Sequence, residues 1–472
     1  MKILLSAYAC KPNFGSEEGR GWNLSFHLAQ LGHQVWVLTL ADNQQTIEQE
    51  LAIRPVSNLH FIYIRVPELI KRYVKFPIGD FSWQSDYLAW QLRAYNIAKK
   101  LDQEQEFDIV HHITWGSITA GSWLWRLNKT FVFGPVGGGQ VAPPAFKQYF
   151  QDQWQKEGLR SFLFQKLAKF NFLSRQTISQ ADLILTTNRD TYDLAQKLSA
   201  QRVEMFLTCG LPEDYFSQNI PTKPNSRVHA DKSSVLPHGA NRITFVSEDG
   251  ASDIKAAGNP QPRALANAPA SRSDFDTVAS VGRSSNSSEL RLLWVGRFSM
   301  RKGLRLTLES LSKVSHLIPV KMTIVGVSGA NHYLKKWLKE FGLEQKVECK
   351  GSIPWQDVKH EYLQNDAFFF TSLRDSSAMQ LLEAMAQSTP IITLDLHGAR
   401  DIVPDRAGIK VPVTNPPETV AALAQAVKYM YEHPEQRVEM GTVGYEFAQT
   451  QTWSSKARKV SDYYRKLKLL EA

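Results

Sequence analysis

The chain of 472 residues is too long for one ordinary core, and its 43% hydrophobic and 11% aromatic content can fill the interiors of two or three domains. Its 55 Lys and Arg against 46 Asp and Glu leave a net charge of +9, which suits an anionic partner. The basic residues are dispersed and no recognition motif accompanies them, so nucleic acid is excluded as that partner.

Cys10, Cys209 and Cys349 are odd in number and far apart, which argues against a disulfide framework and a structural zinc site and points to a reducing compartment. The opening MKILLSAYACKP turns polar too early for a secretory signal, and no apolar run approaches the length of a membrane span. A cytoplasmic protein is expected, with contact at the inner face of the cytoplasmic membrane still open.

In chain order, KILLSAY (2–8), QVWVLTL (34–40), LHFIYIRV (59–66), FDIVHHI (107–113), TFVFG (130–134) and ADLILTT (181–187) read as strands. Longer amphipathic runs lie between them. GWNLSFHLAQLG (21–32) is one, read as a helix ending on a glycine. Short apolar runs alternating with helices predict a parallel sheet wrapped on both faces, here over residues 1–216.

Residues 217–288 are rich in Ser, Asn, Pro, Ala and Asp and lack a sustained period, so they read as a disordered insertion or linker. Within them RITFVSE (242–248) is the one strand-like tract. A second series then runs through 289–451: ELRLLWVGRF (289–298), VKMTIVGV (320–327), KVECKGS (346–352), AFFFTS (367–372) and TPIITLD (389–395), with helices such as GLRLTLESLSKV (303–314) between. TWSSKARKVSDYYRKLKLL (452–470) reads as a basic amphipathic helix packing back toward the first domain. Two doubly wound α/β halves imply a cleft between them, with ligands at the carboxyl ends of the strands.

Two features of the second half suit a diphosphate. In VGRFSMRKG (295–303) a strand runs into Gly296, Arg297 and Lys302 at the start of a helix, placing two cations beside free backbone amides. In RDSSAMQLLEAM (374–385), Ser376 and Ser377 read as caps of a helix from about Ala378 to Gln387. Asp375 precedes that helix and Glu383 lies eight residues on, roughly 10–12 Å away at helical rise, a gap that suits a ligand with a hydroxylated ring at each end.

These motifs, with DLHGARDIV (395–403), resemble the glycosyltransferases of family GT4, retaining enzymes of the GT-B fold with two Rossmann-like domains facing a central cleft. The resemblance takes in nearly the whole chain except 217–288. It implies that Arg297 and Lys302 hold the donor diphosphate, Asp375 contacts hydroxyls of the donor sugar, and Glu383 accepts from the nucleotide ribose. It also implies a place beside the base for Ile353, donor contacts for Gly296, Ser376, Ser377, Ala378 and Leu382, and an approach of Gly15 and Ser16 to the phosphates. Two departures stand out: the first acid is usually Glu and is here Asp375, and the residue before Thr389 is usually Gly and is here Ser388.

On the acceptor side, KPNFGSEEGRGW (11–22) reads as a loop, and the resemblance implies that its Glu17 and Glu18 face the acceptor. It does not match G-x-G-x-x-G, and no acid ends the next strand, so a dinucleotide site is disfavoured. In GPVGGGQVAPP (134–144), Gly137, Gly138 and Gly139 suggest close approach of backbone to substrate, where many GT4 enzymes carry a His that is missing here. Of His111 and His112 in FDIVHHI, alternation turns one toward the cleft and the other toward the helices, with a role in acceptor binding weighed against a core role. Lys and Arg interleaved with Phe and Leu in 67–83 and 159–176 suit an anionic membrane surface carrying a lipid-linked acceptor, or the buried face of a helix, the second being preferred for 159–176.

The expectation is transfer of a sugar from a nucleoside diphosphate sugar to a saccharide or lipid-linked saccharide, in exopolysaccharide or cell-envelope synthesis by resemblance. No Asp-x-Asp pair follows a strand, so no metal is expected and no cofactor is required. The rival is a non-catalytic sugar-nucleotide sensor or scaffold, made thinkable by Asp375 and the missing His.

Overall fold

The computed structural model describes residues 1–66, 82–162, 171–216 and 289–471. The 217–288 segment with its RITFVSE tract, most of the 67–83 tract and the middle of 159–176 lie outside the described residues.

Seven strands, β1 (Lys2–Ala7), β2 (Gln34–Leu40), β3 (Leu59–Ile64), β4 (Ile109–Thr114), β5 (Thr130–Val136), β6 (Leu183–Thr186) and β7 (Val203–Met205), form the first sheet. All neighbours pair in parallel, in the order β3-β2-β1-β4-β5-β6-β7. The second sheet holds β8 (Leu290–Val295), β9 (Val320–Val325), β10 (Val347–Gly351), β11 (Ala367–Phe370), β12 (Ile391–Leu394) and β13 (Gly408–Val411). Its order β10-β9-β8-β11-β12-β13 repeats the first six strands of the other sheet. Each sheet therefore reverses its winding once, between β1 and β4 and between β8 and β11, which is where open parallel sheets bind ligands.

Every residue of β4 and β5 is buried, as expected of strands covered by helices on both faces. That coverage overrides the expectation for the two histidines. Alternation does send them to opposite faces, but His111 and His112 are both 0% exposed, so neither lines an open cleft.

The two cores exchange elements. Ala142, Phe146, Tyr149 and Phe150, which follow β5 in the chain, belong to the core around the second sheet. The C-terminal helix Trp453–Glu471 returns to the first sheet, burying Trp453, Val460, Tyr464 and Leu467 beside Ile3, Leu5 and Ile109. The three cysteines are free. Among the described residues no helix is long and apolar enough to cross a membrane.

The first helix runs from Ser16 to Gln30 and so begins five residues earlier than its pattern suggested. Gly19, which looked like a loop residue, and Gly21, at the predicted helix start, both lie inside the helix. A Cβ on Gly19 would lie 1.9 Å from the Phe14 carbonyl oxygen, and one on Gly21 would lie 2.1 Å from that of Ala9. Glycine is needed here because the helix presses directly on the loop that leads into it.

Candidate active site

At the second switch point the chain leaves β8 and β11 side by side. From β8 it passes through buried Gly296 and exposed Arg297 into a short 3-10 turn, Met300–Lys302, and then into the helix Leu304–Val314. Gly303 turns with φ of 68°, and a Cβ there would stand 2.1 Å from the Thr371 carbonyl oxygen. That close approach seats Lys302 against the loop after β11. Its ammonium lies 2.6 Å from Asp375 Oδ2 and 5.3 Å from the centre of the Phe370 ring. Arg301 Nη1 approaches the same oxygen at 3.5 Å and donates to the Arg374 carbonyl at 3.1 Å.

Burial pushes the Asp375 carboxyl up, but the charges of Lys302 and Arg301 and the Lys302 hydrogen bond outweigh it and hold its pKa below the usual carboxylate value. Asp375 is therefore an oriented anion at neutral pH. An ionised carboxylate has about four acceptor positions, so the pairing with Lys302 leaves capacity for ligand hydroxyls.

Glu383 sits in the helix Met379–Ala386, deep enough to be 4% exposed. The Trp355 indole donates to its Oε1 at 2.7 Å and the Tyr362 hydroxyl to its Oε2 at 3.1 Å. Burial raises its pKa, and the two donors counter only part of that rise. Trp355 in turn stacks on Tyr215 at 5.2 Å, and Ile353 packs partly buried against the same cluster. Leu382, one residue before Glu383, is 0% exposed within that cluster, so it supports the helix and presents no surface to a ligand.

The predicted serine caps are employed otherwise. The helix is capped by Ala378 with no side-chain bond, and it starts at Met379. Ser377 Oγ accepts from Thr208 at 2.6 Å and lies 2.9 Å from Cys209 Sγ, while the Ser376 carbonyl accepts from Asn188 at 2.8 Å. Both serines thus fasten the loop to the first domain. The helix start is free of a side-chain cap as a result.

The first domain meets this helix with its own switch-point loop. The Ser16 amide lies 3.4 Å from Met379 Sδ, and a Cβ on Gly15 would be 3.5 Å from the same sulfur. Glu17 faces inward within its own domain: its carboxylate accepts from Arg20 at 2.8 Å and from the Gly116 amide. Glu18 is partly buried, and its carbonyl accepts from the Lys11 amide at 3.0 Å. Arg20, which the pattern did not single out, also donates to the Pro135 carbonyl at 3.0 Å and so ties this helix to the glycine loop.

In that loop Gly138 and Gly139 have φ of 135° and 124°. The glycines allow protein to approach protein: a Cβ on Gly139 would lie 2.8 Å from the Asp190 carbonyl oxygen, and one on Gly137 would lie 3.1 Å from Ser376 Oγ. A further bridge comes from His397, whose Nδ1 is 3.0 Å from Asp190 Oδ2 and whose Nε2 is 3.0 Å from the Val141 carbonyl oxygen.

Burial holds the pKa of His111 down to about 3 and that of His112 down to about 4, so both rings are neutral. His111 Nε2 meets the Gly134 carbonyl at 2.6 Å and Nδ1 meets the Tyr464 hydroxyl at 2.5 Å. The ring therefore donates from Nε2 and accepts at Nδ1, joining β4, the base of the glycine loop and the C-terminal helix. His112 lies 3.1 Å from the Tyr87 hydroxyl on the other face.

Two paired domains with ligand-shaped loops at facing switch points narrow the field to few families. The family described as Glycosyl transferases group 1 matches residues 280–447, and the one described as Glycosyltransferase Family 4 matches residues 22–208. The chain belongs to the family 4, group 1 glycosyltransferases. Sucrose-phosphate synthase from Thermosynechococcus elongatus shares its GT-B fold, with a TM-score of 0.61 at 15% identity over 99% of both chains. HepE of Anabaena, solved with UDP and glucose, superposes with a TM-score of 0.53 at 12% identity over 99% of this chain and 100% of its own.

Curated relatives match a smaller part of this glycosyltransferase. An uncharacterized glycosyltransferase of Methanocaldococcus jannaschii is 27% identical over 27% of this chain and 33% of its own. The D-inositol 3-phosphate glycosyltransferase of Paenarthrobacter aurescens is 26% identical over 37% of this chain and 43% of its own. Matches of this kind span less than half of the relatives' length.

Proposed function

We propose that this glycosyltransferase moves a sugar from a nucleoside diphosphate sugar to a saccharide or lipid-linked saccharide, with retention of configuration and without a metal ion. The observation that carries the reading is the Lys302–Asp375 pair at the β8/β11 switch point, beside a helix start that touches Gly15 and Ser16 of the facing domain. A diphosphate placed there meets Arg297, Lys302 and the first amides of the Met379–Ala386 helix. Asp375 orients the sugar hydroxyls and Glu383 receives the ribose. As the bond from sugar to diphosphate breaks and the acceptor oxygen bonds to the sugar carbon, the acceptor proton passes to a phosphate oxygen on the same face. No side-chain base is required.

The HepE structures, with UDP and glucose or with UDP-glucose, support a nucleotide sugar as donor. WaaG, a neighbour described as involved in lipopolysaccharide biosynthesis, supports an envelope or exopolysaccharide setting. Exposed Leu159, Phe162 and Phe172 favour peripheral contact with a membrane holding the acceptor, at its cytoplasmic face.

Calorimetry with UDP, GDP and ADP in EDTA tests the donor site. One nucleotide should bind, and Lys302→Ala and Glu383→Ala should each weaken it about tenfold or more. Failure of all three to bind wild-type protein overturns the reading. NMR of the anomeric proton in the product tests retention.

A further inference from the structure

A second group of charges adjoins Asp375, and the diphosphate does not account for it. Arg374, the residue before Asp375, places Nε 2.6 Å from Glu157 Oε1, and Arg160 Nη1 lies 3.6 Å from the same oxygen. Glu157 and Arg160 stand one turn apart on the helix Trp154–Phe162, which belongs to the chain segment before the second sheet. Arg301, paired with Asp375, donates to the Arg374 carbonyl at 3.1 Å and so joins this group to Asp375. Among the described residues, Arg160 and Arg374 pair with Glu157, and Arg301 and Lys302 pair with Asp375.

Among the described residues these cations outnumber the carboxylates they pair with, and water is poorly placed to screen them. The side chains of Lys302, Arg374 and Arg160 are only 10%, 17% and 26% exposed. Burial, then repulsion from Arg374, brings the Arg160 pKa down to about 10. Crowding of this kind costs free energy in the empty protein and is relieved when an anion enters.

We propose that Arg160, Arg301 and Arg374 form a subsite for a carboxylate or phosphate substituent carried on the transferred sugar or on the acceptor. The proposal rests on the donor reading above, because it takes Asp375 to mark the sugar end of the donor. It makes the substrate an acidic sugar, with Glu157 holding Arg160 and Arg374 in place as a positioning residue.

The test compares charged and neutral probes on wild-type protein and on Arg160→Gln and Arg374→Gln. In the donor arm, calorimetry compares UDP-glucuronate with UDP-glucose. In the acceptor arm, protein saturated with its preferred nucleoside diphosphate is titrated with glucose 6-phosphate, glucose 1-phosphate and glucose. The proposal expects the charged member of one arm to bind at least tenfold more tightly than its neutral counterpart, and the arm identifies which substrate bears the charge. Each variant should bring that ratio close to one, with nucleoside diphosphate affinity changed less than threefold. Absence of a charge preference in both arms overturns the subsite while leaving the donor reading intact. A parallel loss of nucleoside diphosphate affinity in both variants also overturns it, by assigning the cations to the diphosphate. Failure of every nucleotide to bind wild-type protein instead removes the donor reading beneath it. Melting temperatures of both variants establish that they are folded.

Discussion

Replacing Lys302 by Met removes the ammonium that lies 2.6 Å from Asp375 and keeps most of the aliphatic stem against Phe370. The carboxylate, 14% exposed, is left with Arg301 at 3.5 Å and the Ser372 hydroxyl at 3.5 Å. Breaking a buried pair by deleting one partner typically costs about 3–5 kcal/mol. Arg301 recovers part of that, so the expected loss is about 2–3 kcal/mol at pH 7.5, or a fall in melting temperature of roughly 5–10 °C. The pH dependence has a definite sign. In the wild type the folded pKa of Asp375 is depressed, so the pair stabilises above the ordinary carboxylate pKa and that stability is lost as pH falls through the depressed value. In Lys302→Met, burial is the larger remaining influence and raises the carboxyl pKa, so protonation removes the penalty early. The gap between the two proteins should therefore narrow between pH 7.5 and pH 5. Differential scanning fluorimetry at both values, with Lys302→Met/Asp375→Asn as the companion, reads this directly. A single variant melting within about 1 °C of wild type at pH 7.5, or a double variant no more stable than the single, refutes the reasoning.

Glu383→Gln keeps the volume and removes a carboxyl whose pKa burial has raised, so its stability at pH 7.5 should stay within about 1 kcal/mol of wild type. Calorimetry should nevertheless show about tenfold weaker nucleoside diphosphate binding if the ribose lies there. Gly19→Ala forces a Cβ to within 1.9 Å of the Phe14 carbonyl oxygen, and backbone cannot yield that far; loss of at least about 3 kcal/mol, seen as a collapse of the melting temperature or of soluble yield, is expected. Tyr464→Phe strips His111 Nδ1 of its buried donor and should cost about 1–3 kcal/mol by thermal melting, with nucleotide affinity unchanged.

Most strand patterns were legible where apolar residues ran together without a charge between them. QVWVLTL coincides with β2 at both ends, and each of the other ten predicted strands overlaps an observed one. Among the described residues the two that escaped notice, β7 and β13, have three and four residues, lie at sheet edges and are interrupted by Glu204 and Lys410, so they offer no continuous apolar run. The early start of the first helix escaped for another reason. Gly19 and Gly21 lower helix propensity, and only the tertiary contacts with Phe14 and Ala9 explain why they are kept. No local pattern contains that information.

The site shows the same division between what a motif holds and what only packing creates. Lys302 and Asp375 stand 73 positions apart in sequence, and their pairing follows from Gly303 meeting Thr371. Family resemblance marked both residues but gave no reason to notice Arg301 and Arg374, each adjacent to one of them. Arg374 acquires meaning through Glu157, a residue of the other half of the chain, held where Phe146, Tyr149 and Phe150 cross over to pack in the second core, and Arg301 through the Arg374 carbonyl and Asp375. The cleft is therefore not a gap between two finished domains. Its wall on the Asp375 side is built by a segment that leaves the first sheet, fills the second core and carries its own charge into the site. For the same reason, substitutions among Phe146, Tyr149 and Phe150 reach the site through Glu157 and Arg160 and also through Met300, which shares their core and opens the turn that carries Lys302. Their influence therefore extends from the acidic-sugar subsite to the Lys302–Asp375 pair, although both members of that pair belong to the second domain.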